Sequence, residues 1–268
     1  MQRAVCCSHI GGRSNQEDNF LFFHHYLQEA QQRQMPEERS LRFTADACLL
    51  PAYFAISDGM GGHHAGEVAS RTCVQALSSL SPAFQKCGSL RRAVALFQTA
   101  VGNINTDVCE MGRRQPDLYG MGATLVVLIL YGGEAAILNI GDSRAYFFDG
   151  DALIQLTKDH TEGQRMLDLG LLTRKELADF PARKHLSRYI GYDRLDFVLQ
   201  ADEFYPPPKP GVFLLCSDGL SDALSDNRIR EILLQAQDLG AAGERLVAAA
   251  ASTDCADNIT AMLIPFWR

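Results

Sequence analysis

The chain has 268 residues, of which 47% are hydrophobic and 21% charged, and its net charge is −7 at pH 7. This length suits one large domain or two small ones, with enough apolar residues for a sizeable core. The acidic balance and the lack of a basic stripe argue against a dedicated nucleic-acid binder. No apolar run reaches the roughly 20 residues that span a bilayer, and the N-terminus does not resemble a signal peptide. We therefore expect a cytoplasmic protein that does not insert into membranes.

The first half of the chain combines predicted strands with two long predicted helices. Compact apolar runs predict strands at residues 5–10, 19–23 and 52–57. Apolar residues at helical spacing predict helices at 65–80 and 90–111. The polar segment 27–42 between them is typical of a solvated excursion or a loose helix.

The second half begins with two predicted hairpins. Gly132-Gly133 separates the apolar runs 123–130 and 134–140, and Asp149-Gly150 separates 144–148 from 152–156. Further strands are predicted at 197–204, 212–216 and 259–266, and further helices at 226–237 and 241–251. Strands that come in hairpins and helices that come in pairs favour antiparallel sheets covered by helix pairs over alternating βαβ units.

Residues 159–191 differ from their surroundings because they are polar and mixed in charge, with helix-forming stretches at 162–169 and 174–179. We interpret this flap segment as a surface insertion over a site. No break in composition marks a second domain, so we expect a single domain over residues 1–268.

Eight cysteines are present, without any C-x-x-C pair, and most lie inside apolar stretches. A free cysteine in such a stretch behaves as a small hydrophobic residue. We expect reduced thiols with a packing role.

Short acidic clusters occur where apolar runs end. They are residues 13–18 (Arg-Ser-Asn-Gln-Glu-Asp), 57–62 (Ser-Asp-Gly-Met-Gly-Gly), 141–144 (Gly-Asp-Ser-Arg), 217–219 (Ser-Asp-Gly) and 257–258 (Asp-Asn). An aspartate beside a glycine is usually a plain turn residue, but the clusters together predict one oxygen-rich pocket. Oxygen ligands suit hard cations such as Mg²⁺ or Mn²⁺. Arg13, four residues before Glu17, is a natural partner for an oxyanion, so we predict metal-assisted chemistry on a phosphate.

Six motifs in this chain resemble those of the metal-dependent serine/threonine protein phosphatases (the PPM, or type 2C, family) in their bacterial form. They stand in the family's order at residues 13–18, 58–63 (Asp-Gly-Met-Gly-Gly-His), 141–146 (Gly-Asp-Ser-Arg-Ala-Tyr), 156–160 (Leu-Thr-Lys-Asp-His), 216–220 (Cys-Ser-Asp-Gly-Leu) and 257–260 (Asp-Asn-Ile-Thr). The resemblance implies an α+β fold, namely a four-layer α/β/β/α sandwich with two antiparallel β-sheets flanked by pairs of helices. It also implies a binuclear metal centre at one end.

The resemblance implies metal ligands residue by residue. Asp58 would bridge two Mn²⁺ or Mg²⁺ ions. Asp218 and Asp257 would complete one site, and Glu17 with the carbonyl of Gly59 would complete the other.

The remaining roles follow from the same resemblance. Asp142, with Asp218, would form a weaker third metal site. Asp18 would orient metal-bound water, and Arg13 would bind the substrate phosphate. Residues 159–191 would match the variable flap of the family.

The implied activity is hydrolysis of phosphoserine and phosphothreonine monoesters by a water that bridges the two ions. The implied partners are phosphorylated proteins, namely substrates of a serine/threonine kinase or the kinase itself, and we expect a monomer. One departure concerns the general acid, because Met60 stands where some members have a histidine after Asp-Gly. We do not transfer that role to His63, and a metal-bound water would serve instead.

Two other readings of the sequence remain. Cys7 and Arg13 fit C-x₅-R-S, the loop in which cysteine-dependent phosphatases attack with a thiolate. Such a loop opens a helix, whereas residues 15–23 read as another strand. The second alternative is a metal-binding or phosphoprotein-binding module that has lost catalysis. Such a module would be expected to lack one of the ligand carboxylates, and none is missing here.

Overall fold

The computed structural model describes residues 3–34, 39–46, 51–61, 65–193, 198–206, 209–254 and 256–267. Its strands are β1 (Arg3–His9), β2 (Asp18–Phe22), β3 (Ser40–Asp46), β4 (Ala52–Met60), β5 (Gly122–Ala123), β6 (Leu125–Tyr131), β7 (Glu134–Ile140), β8 (Arg144–Phe148), β9 (Leu153–Gln155), β10 (Asp202–Phe204), β11 (Gly211–Cys216) and β12 (Ile259–Phe266). Its helices are α1 (Glu29–Arg33), α2 (Ala65–Ser78), α3 (Ser81–Phe84), α4 (Leu90–Arg114), α5 (Glu162–Asp168), α6 (Arg174–Leu177), α7 (Asp218–Ser221), α8 (Asp226–Gln235) and α9 (Leu239–Ala251).

The strands form two antiparallel sheets. The first has the order β3-β1-β12-β11-β8-β9, and the second has the order β10-β7-β6-β4-β2, with β5 paired to the end of β4. Helices α2 and α4 pack on the outer face of the second sheet, and α8 and α9 pack on the outer face of the first. The predicted four-layer sandwich is therefore confirmed.

Strand β4 shows why both faces of these sheets are apolar. Alternate side chains point to opposite faces of a strand. Tyr53 and Ala55 pack with the α2 and α4 layer, whereas Phe54 and Ile56 pack between the two sheets. Since both faces are covered, the strand reads as a continuous apolar run.

The first predicted hairpin is confirmed. Gly132 and Gly133 have φ values of 61° and 81°, the left-handed conformation that a two-residue hairpin turn requires. The second hairpin also forms, but its loop covers residues 149–152 and β9 is only three residues long.

The structure differs from the sequence-based elements in two places. Segment 27–42, which was expected to be a loose helix or an excursion, contains α1 and then enters the edge strand β3. The residues of β3 are alternately exposed and half-buried, because β3 lies at the edge of its sheet. Its sequence therefore lacks the apolar run that predicts a strand. Strand β4 also continues through Asp58 to Met60, where a turn was expected to begin.

The flap segment contains α5 and α6 and returns to the body at Ile190, which pairs with Ala123. None of the described helices is both long and apolar enough to cross a membrane. The six cysteines within the described ranges are free thiols, namely Cys6, Cys7, Cys73, Cys87, Cys109 and Cys216. Cys48 and Cys255 lie outside the described residues.

Candidate metal centre

Asp18 and Asp58 lie opposite each other at the end of the β2–β4 pair, where the antiparallel register joins them. Asp18 is fully buried, and its Oδ2 accepts hydrogen bonds of 2.7 Å from Ser217 Oγ and 2.7 Å from Thr260 Oγ1. Its Oδ1 is buried without a hydrogen-bond partner. One oxygen of Asp18 is therefore held by the first sheet and the other is left for a ligand.

Thr124 connects the backbone of Asp58 to the loop that carries Asp142. Asp58 N donates to Thr124 Oγ1 at 3.0 Å, and Thr124 N donates to the carbonyl of Asp58 at 2.8 Å. Thr124 Oγ1 also lies 2.6 Å from Ser143 Oγ, next to Asp142. The hydroxyl of Thr124 thus links the backbone of Asp58 to Ser143, which follows Asp142.

Glu17 and Gly59 are held together by the backbone. Gly59 N donates to the carbonyl of Glu17 at 3.2 Å, and Gly66 of α2 packs against both residues. A Cβ on Gly66 would lie 2.9 Å from the Gly59 carbonyl oxygen and 3.0 Å from Glu17 Cδ. The start of α2 therefore needs glycine at this position to approach the predicted ligands.

Asn258 lies near the end of the sequence, and its side chain forms hydrogen bonds with the backbone of the loop before Glu17. Its Oδ1 accepts from Glu17 N at 2.7 Å, and its Nδ2 donates to the carbonyls of Ile10 at 2.9 Å and Asn15 at 3.1 Å. Because Asn258 is buried and follows Asp257, it places that carboxylate beside the loop.

Arg13 lies in this loop with its side chain 47% exposed, and its Nη2 donates to Asp257 Oδ2 at 3.0 Å. Across the site, Asp218 begins α7, and Ser217 alone separates it from the end of β11. All the predicted ligand positions thus lie at one end of the sandwich.

The carboxylates raise one another's pKa values. Burial raises the pKa of Asp18 to about 7, and burial with the neighbouring Asp257 raises that of Asp218 to about 6. Burial and the charge of Asp218 raise the pKa of Asp142 to about 8. Burial and the charge of Asp18 raise the pKa of Asp58 well above its usual value. Burial and mutual repulsion of these carboxylates therefore favour a bound cation that would neutralise their charge.

This donor set fits divalent cations in its chemistry. The ligand candidates are carboxylate and carbonyl oxygens, which hard cations prefer, and Asp18 Oδ1 and Asp218 Oδ1 are buried without hydrogen-bond partners. Within the described residues, no three His, Cys, Asp or Glu side chains already form a group that could hold an ion. Binding would therefore require side-chain movements or additional ligands from the backbone or water.

The structure does not support a thiolate nucleophile at Cys7. This residue lies inside β1, paired with Ala261 and Arg42, and not in a phosphate-binding loop. Burial raises the pKa of its thiol to about 12, so the thiolate is scarce at neutral pH.

Several residues that shape the centre were not assigned a role from the sequence. They are Gly66, Thr124, Ser217, Asn258 and Thr260. Ser217, Asn258 and Thr260 lie inside recognised motifs, which were the available signal, but Thr124 lies inside the apolar run 123–130 and carries none. His63 lies outside the described residues, whereas Met60 ends β4.

The sequence of the chain is similar to those of known phosphatases. The family model for protein phosphatase 2C matches residues 33–263, a range that begins after Arg13 and Glu17. The chain is 32% identical over 213 residues to the serine/threonine phosphatase stp of Listeria innocua, covering 78% of this chain and 82% of that protein. It is 35% identical over 209 residues to the serine/threonine protein phosphatase PstP of Mycobacterium tuberculosis, covering 78% of this chain but 39% of PstP.

Solved structures match over nearly the whole chain. A crystal structure of a bacterial serine phosphatase superposes with a TM-score of 0.82 at 25% identity, covering 100% of this chain and 98% of the other. The catalytic domain of PstP in complex with two manganese ions superposes with a TM-score of 0.72 at 29% identity, with 97% of each chain covered.

Proposed function

The chain belongs to the protein phosphatase 2C family and is a metal-dependent serine/threonine phosphatase, and on that premise we propose which of its residues form the catalytic centre. The observation that carries the proposal is the convergence of Asp18, Asp58 and Asp218, whose pKa values are all raised, together with the buried Oδ1 atoms of Asp18 and Asp218, which have no hydrogen-bond partner. Such a cluster is stabilised when cations neutralise its charge.

We assign the ligands as follows. Asp58 would bridge two divalent ions. Asp218 and Asp257 would hold one of them, and Glu17 with the Gly59 carbonyl would hold the other. When bound, the two ions supply a hydroxide near neutral pH and neutralise charge on the phosphoryl group. Asp18, fixed through its Oδ2, offers Oδ1 to orient water at the centre.

Arg13 is proposed to bind the substrate phosphate. Its guanidinium is half exposed, in the loop between β1 and Glu17, and its described carboxylate partner is Asp257 at 3.0 Å. A guanidinium binds two phosphate oxygens in a fixed geometry. A dianionic phosphate near Asp257 would therefore share or replace this ion pair.

The finer features of this function are proposals too. Mn²⁺ or Mg²⁺ would fill the centre, with a weaker third ion at Asp142 and Asp218. The partners would be phosphoproteins of a serine/threonine kinase, or the kinase itself. We also propose a cytoplasmic monomer with one catalytic domain over residues 1–268, whose flap segment borders the site.

The test is hydrolysis of an aryl phosphate and of a phosphoserine peptide with Mn²⁺, with EDTA, and by Cys7→Ser in Mn²⁺. We expect activity on both substrates that requires Mn²⁺ and survives Cys7→Ser. Activity that persists in EDTA and disappears in Cys7→Ser would overturn the metal assignment.

A further inference from the structure

Arg13 ends a tight turn, residues 10–13, which follows β1 and is called the Arg13 turn below. Arg13 N donates to the carbonyl of Ile10 at 3.3 Å. Gly11 has a φ of 61°, and a Cβ at this position would lie 1.7 Å from the carbonyl oxygen of Asp257. One side of the Arg13 turn is therefore packed directly against the backbone of the loop that carries Asp257.

The Arg13 turn is also held by Arg39, which stands directly before the edge strand β3. Arg39 Nη2 donates to the carbonyl of Gly11 at 2.6 Å and to the carbonyl of Arg13 at 3.2 Å. In return, the carbonyl of Arg39 accepts from Ile10 N at 3.0 Å. One residue is thus joined to both ends of the Arg13 turn, and one of the carbonyls that it binds belongs to Arg13 itself.

The backbone of Arg39 adopts an unfavourable conformation at this contact. Its φ is 58°, and within the described ranges Phe23 is the other non-glycine residue with a positive φ. Glycine adopts this left-handed region readily, whereas other L-residues do so at a cost in free energy. The surroundings must stabilise such a conformation, and the guanidinium supplies two stabilising hydrogen bonds at the carbonyls of the Arg13 turn.

We propose that Arg39 is a positioning residue for Arg13, because it fixes the backbone of the Arg13 turn so that the half-exposed guanidinium of Arg13 stays beside Asp257 and binds the substrate phosphate. This inference rests on the proposed function, since it assumes that Arg13 binds the phosphate. It gives the polar segment 27–42 a role in substrate affinity, through a residue that is not a predicted metal ligand.

The predicted metal ligands are anchored independently of Arg39. Asn258 Oδ1 accepts from Glu17 N, and the register of β2 and β4 sets Asp18 opposite Asp58. A guanidinium binds two phosphate oxygens in one fixed geometry, so a loosened turn weakens phosphate binding. Loss of the Arg39 side chain should therefore lower phosphate affinity and leave manganese affinity unchanged.

The first test measures kcat and KM for an aryl phosphate at saturating Mn²⁺, together with the competitive inhibition constant of inorganic phosphate. Arg39→Gln should raise KM and the inhibition constant about three- to tenfold, as when a charged hydrogen bond at a partly exposed site is lost. The effect on kcat should be smaller. Manganese affinity, measured by calorimetry, should be that of the wild type.

Three further variants separate the hydrogen bonds from charge and backbone strain. Arg39→Lys keeps a cation that can donate to both carbonyls, so its constants should lie close to those of the wild type. Arg39→Gly accepts a positive φ without strain, and it should resemble Arg39→Gln. Arg42→Gln is the matched control, because it removes an arginine from β3 that pairs with Glu244, and it should change neither constant.

The second test is a double-mutant cycle with Arg13→Ala. Because Arg39 acts through Arg13, Arg39→Gln should have no further effect on either constant once the Arg13 side chain is removed. Additive effects would overturn the proposal, since Arg39 would then act on the substrate by another route. Manganese affinity that falls in Arg39→Gln as much as phosphate affinity would also overturn it.

Failure of the proposed function gives a different result. If Arg13→Ala leaves KM and phosphate inhibition unchanged, Arg13 does not bind the phosphate, and both proposals are refuted. If Arg13→Ala raises both constants and Arg39→Gln raises neither, the proposed function stands and the positioning role of Arg39 is refuted.

Discussion

Thr260 Oγ1 donates a hydrogen bond of 2.7 Å to Asp18 Oδ2, although 242 residues separate the two in the chain. Thr260 belongs to β12 of the first sheet and Asp18 to β2 of the second, so the bond crosses the sandwich. Both side chains are fully buried. Because Oδ2 is held in this way, the carboxylate of Asp18 presents its other oxygen to the centre.

Thr260→Val should weaken the metal centre without removing a predicted ligand. Valine has nearly the shape of threonine but cannot donate to Asp18, and loss of such a supporting hydrogen bond reduces metal affinity or activity by about 10–100-fold. The unfolding free energy should fall by about 1–3 kcal/mol because the buried Asp18 Oδ2 loses one of its two donors and keeps only Ser217 Oγ. Manganese titration of activity and of thermal stability measures both effects. Thr260→Ser keeps the hydroxyl and is the control; equal damage in both variants would show that packing, not the hydrogen bond, matters.

Asp58→Asn should abolish turnover and yet raise the thermal stability of the metal-free protein. The folded state raises the pKa of Asp58, so above the unfolded pKa the ionised carboxylate favours unfolding, and this penalty grows with pH. An amide cannot ionise, so the melting temperature of the variant in EDTA at pH 7 should be a few degrees higher than that of the wild type. Each kcal/mol of added stability raises the melting temperature by about 2–4 °C. Scanning calorimetry with EDTA and with Mn²⁺ measures this, and only the wild type should gain stability from Mn²⁺. Near-normal activity in purified Asp58→Asn would contradict the bridging role.

Gly66→Ala should damage the centre through the backbone of α2. Its Cβ would press on the carbonyl of Gly59 and on Glu17, at 2.9 and 3.0 Å, so one predicted ligand must move. We expect manganese affinity to fall by about 10–100-fold, as when a supporting contact is lost. Gly102→Ala in α4 is the matched control, since nothing lies within 4 Å of its Cβ, and it should stabilise the helix by about 0.5–1 kcal/mol. If both variants bind manganese like the wild type, the close approach of Gly66 is unimportant.

His160 should make stability depend on pH. Its Nδ1 accepts from Gly141 N at 3.0 Å and its Nε2 lies 3.0 Å from Asp202, so the neutral ring with a proton on Nε2 satisfies both contacts. Burial lowers the pKa of His160, an effect reinforced by Arg188 and opposed by Asp202 and Asp159. Just below about pH 6.5, His160 therefore binds a proton in the unfolded chain but not in the folded protein.

The contribution of His160 is thus complete above the unfolded pKa and is lost as pH falls through the lowered folded pKa. Denaturant unfolding of the wild type and of His160→Gln, both in EDTA, should show their stability difference shrinking from pH 7 to pH 5. The slope cannot exceed about 1.4 kcal/mol per pH unit for one proton. A difference that is constant over this range would exclude a titrating role for His160.

Local patterns in the sequence predicted most of the fold. The Gly132-Gly133 turn, the helical spacing in α2 and α4, and the apolar run of β12 each depend on neighbours within a few residues. The edge strand β3 was missed because its half-exposed residues lack an apolar pattern. Asp58 was expected in a turn but lies within β4, since it pairs with Asp18 of β2 and the strand is extended further by the distant β5.

The sequence by itself determined the chemistry available to this protein: one loop arginine, a set of carboxylates at strand ends, and the ordered motifs of the phosphatase family. Only the tertiary structure decided which of these groups meet. Strand register set Asp18 opposite Asp58, sheet packing brought Thr260 to Asp18, and the start of the edge strand β3 brought Arg39 to the turn that carries Arg13. The physical reason is that residue type and spacing encode local conformation, whereas contacts across hundreds of residues follow from the burial of two sheets against each other.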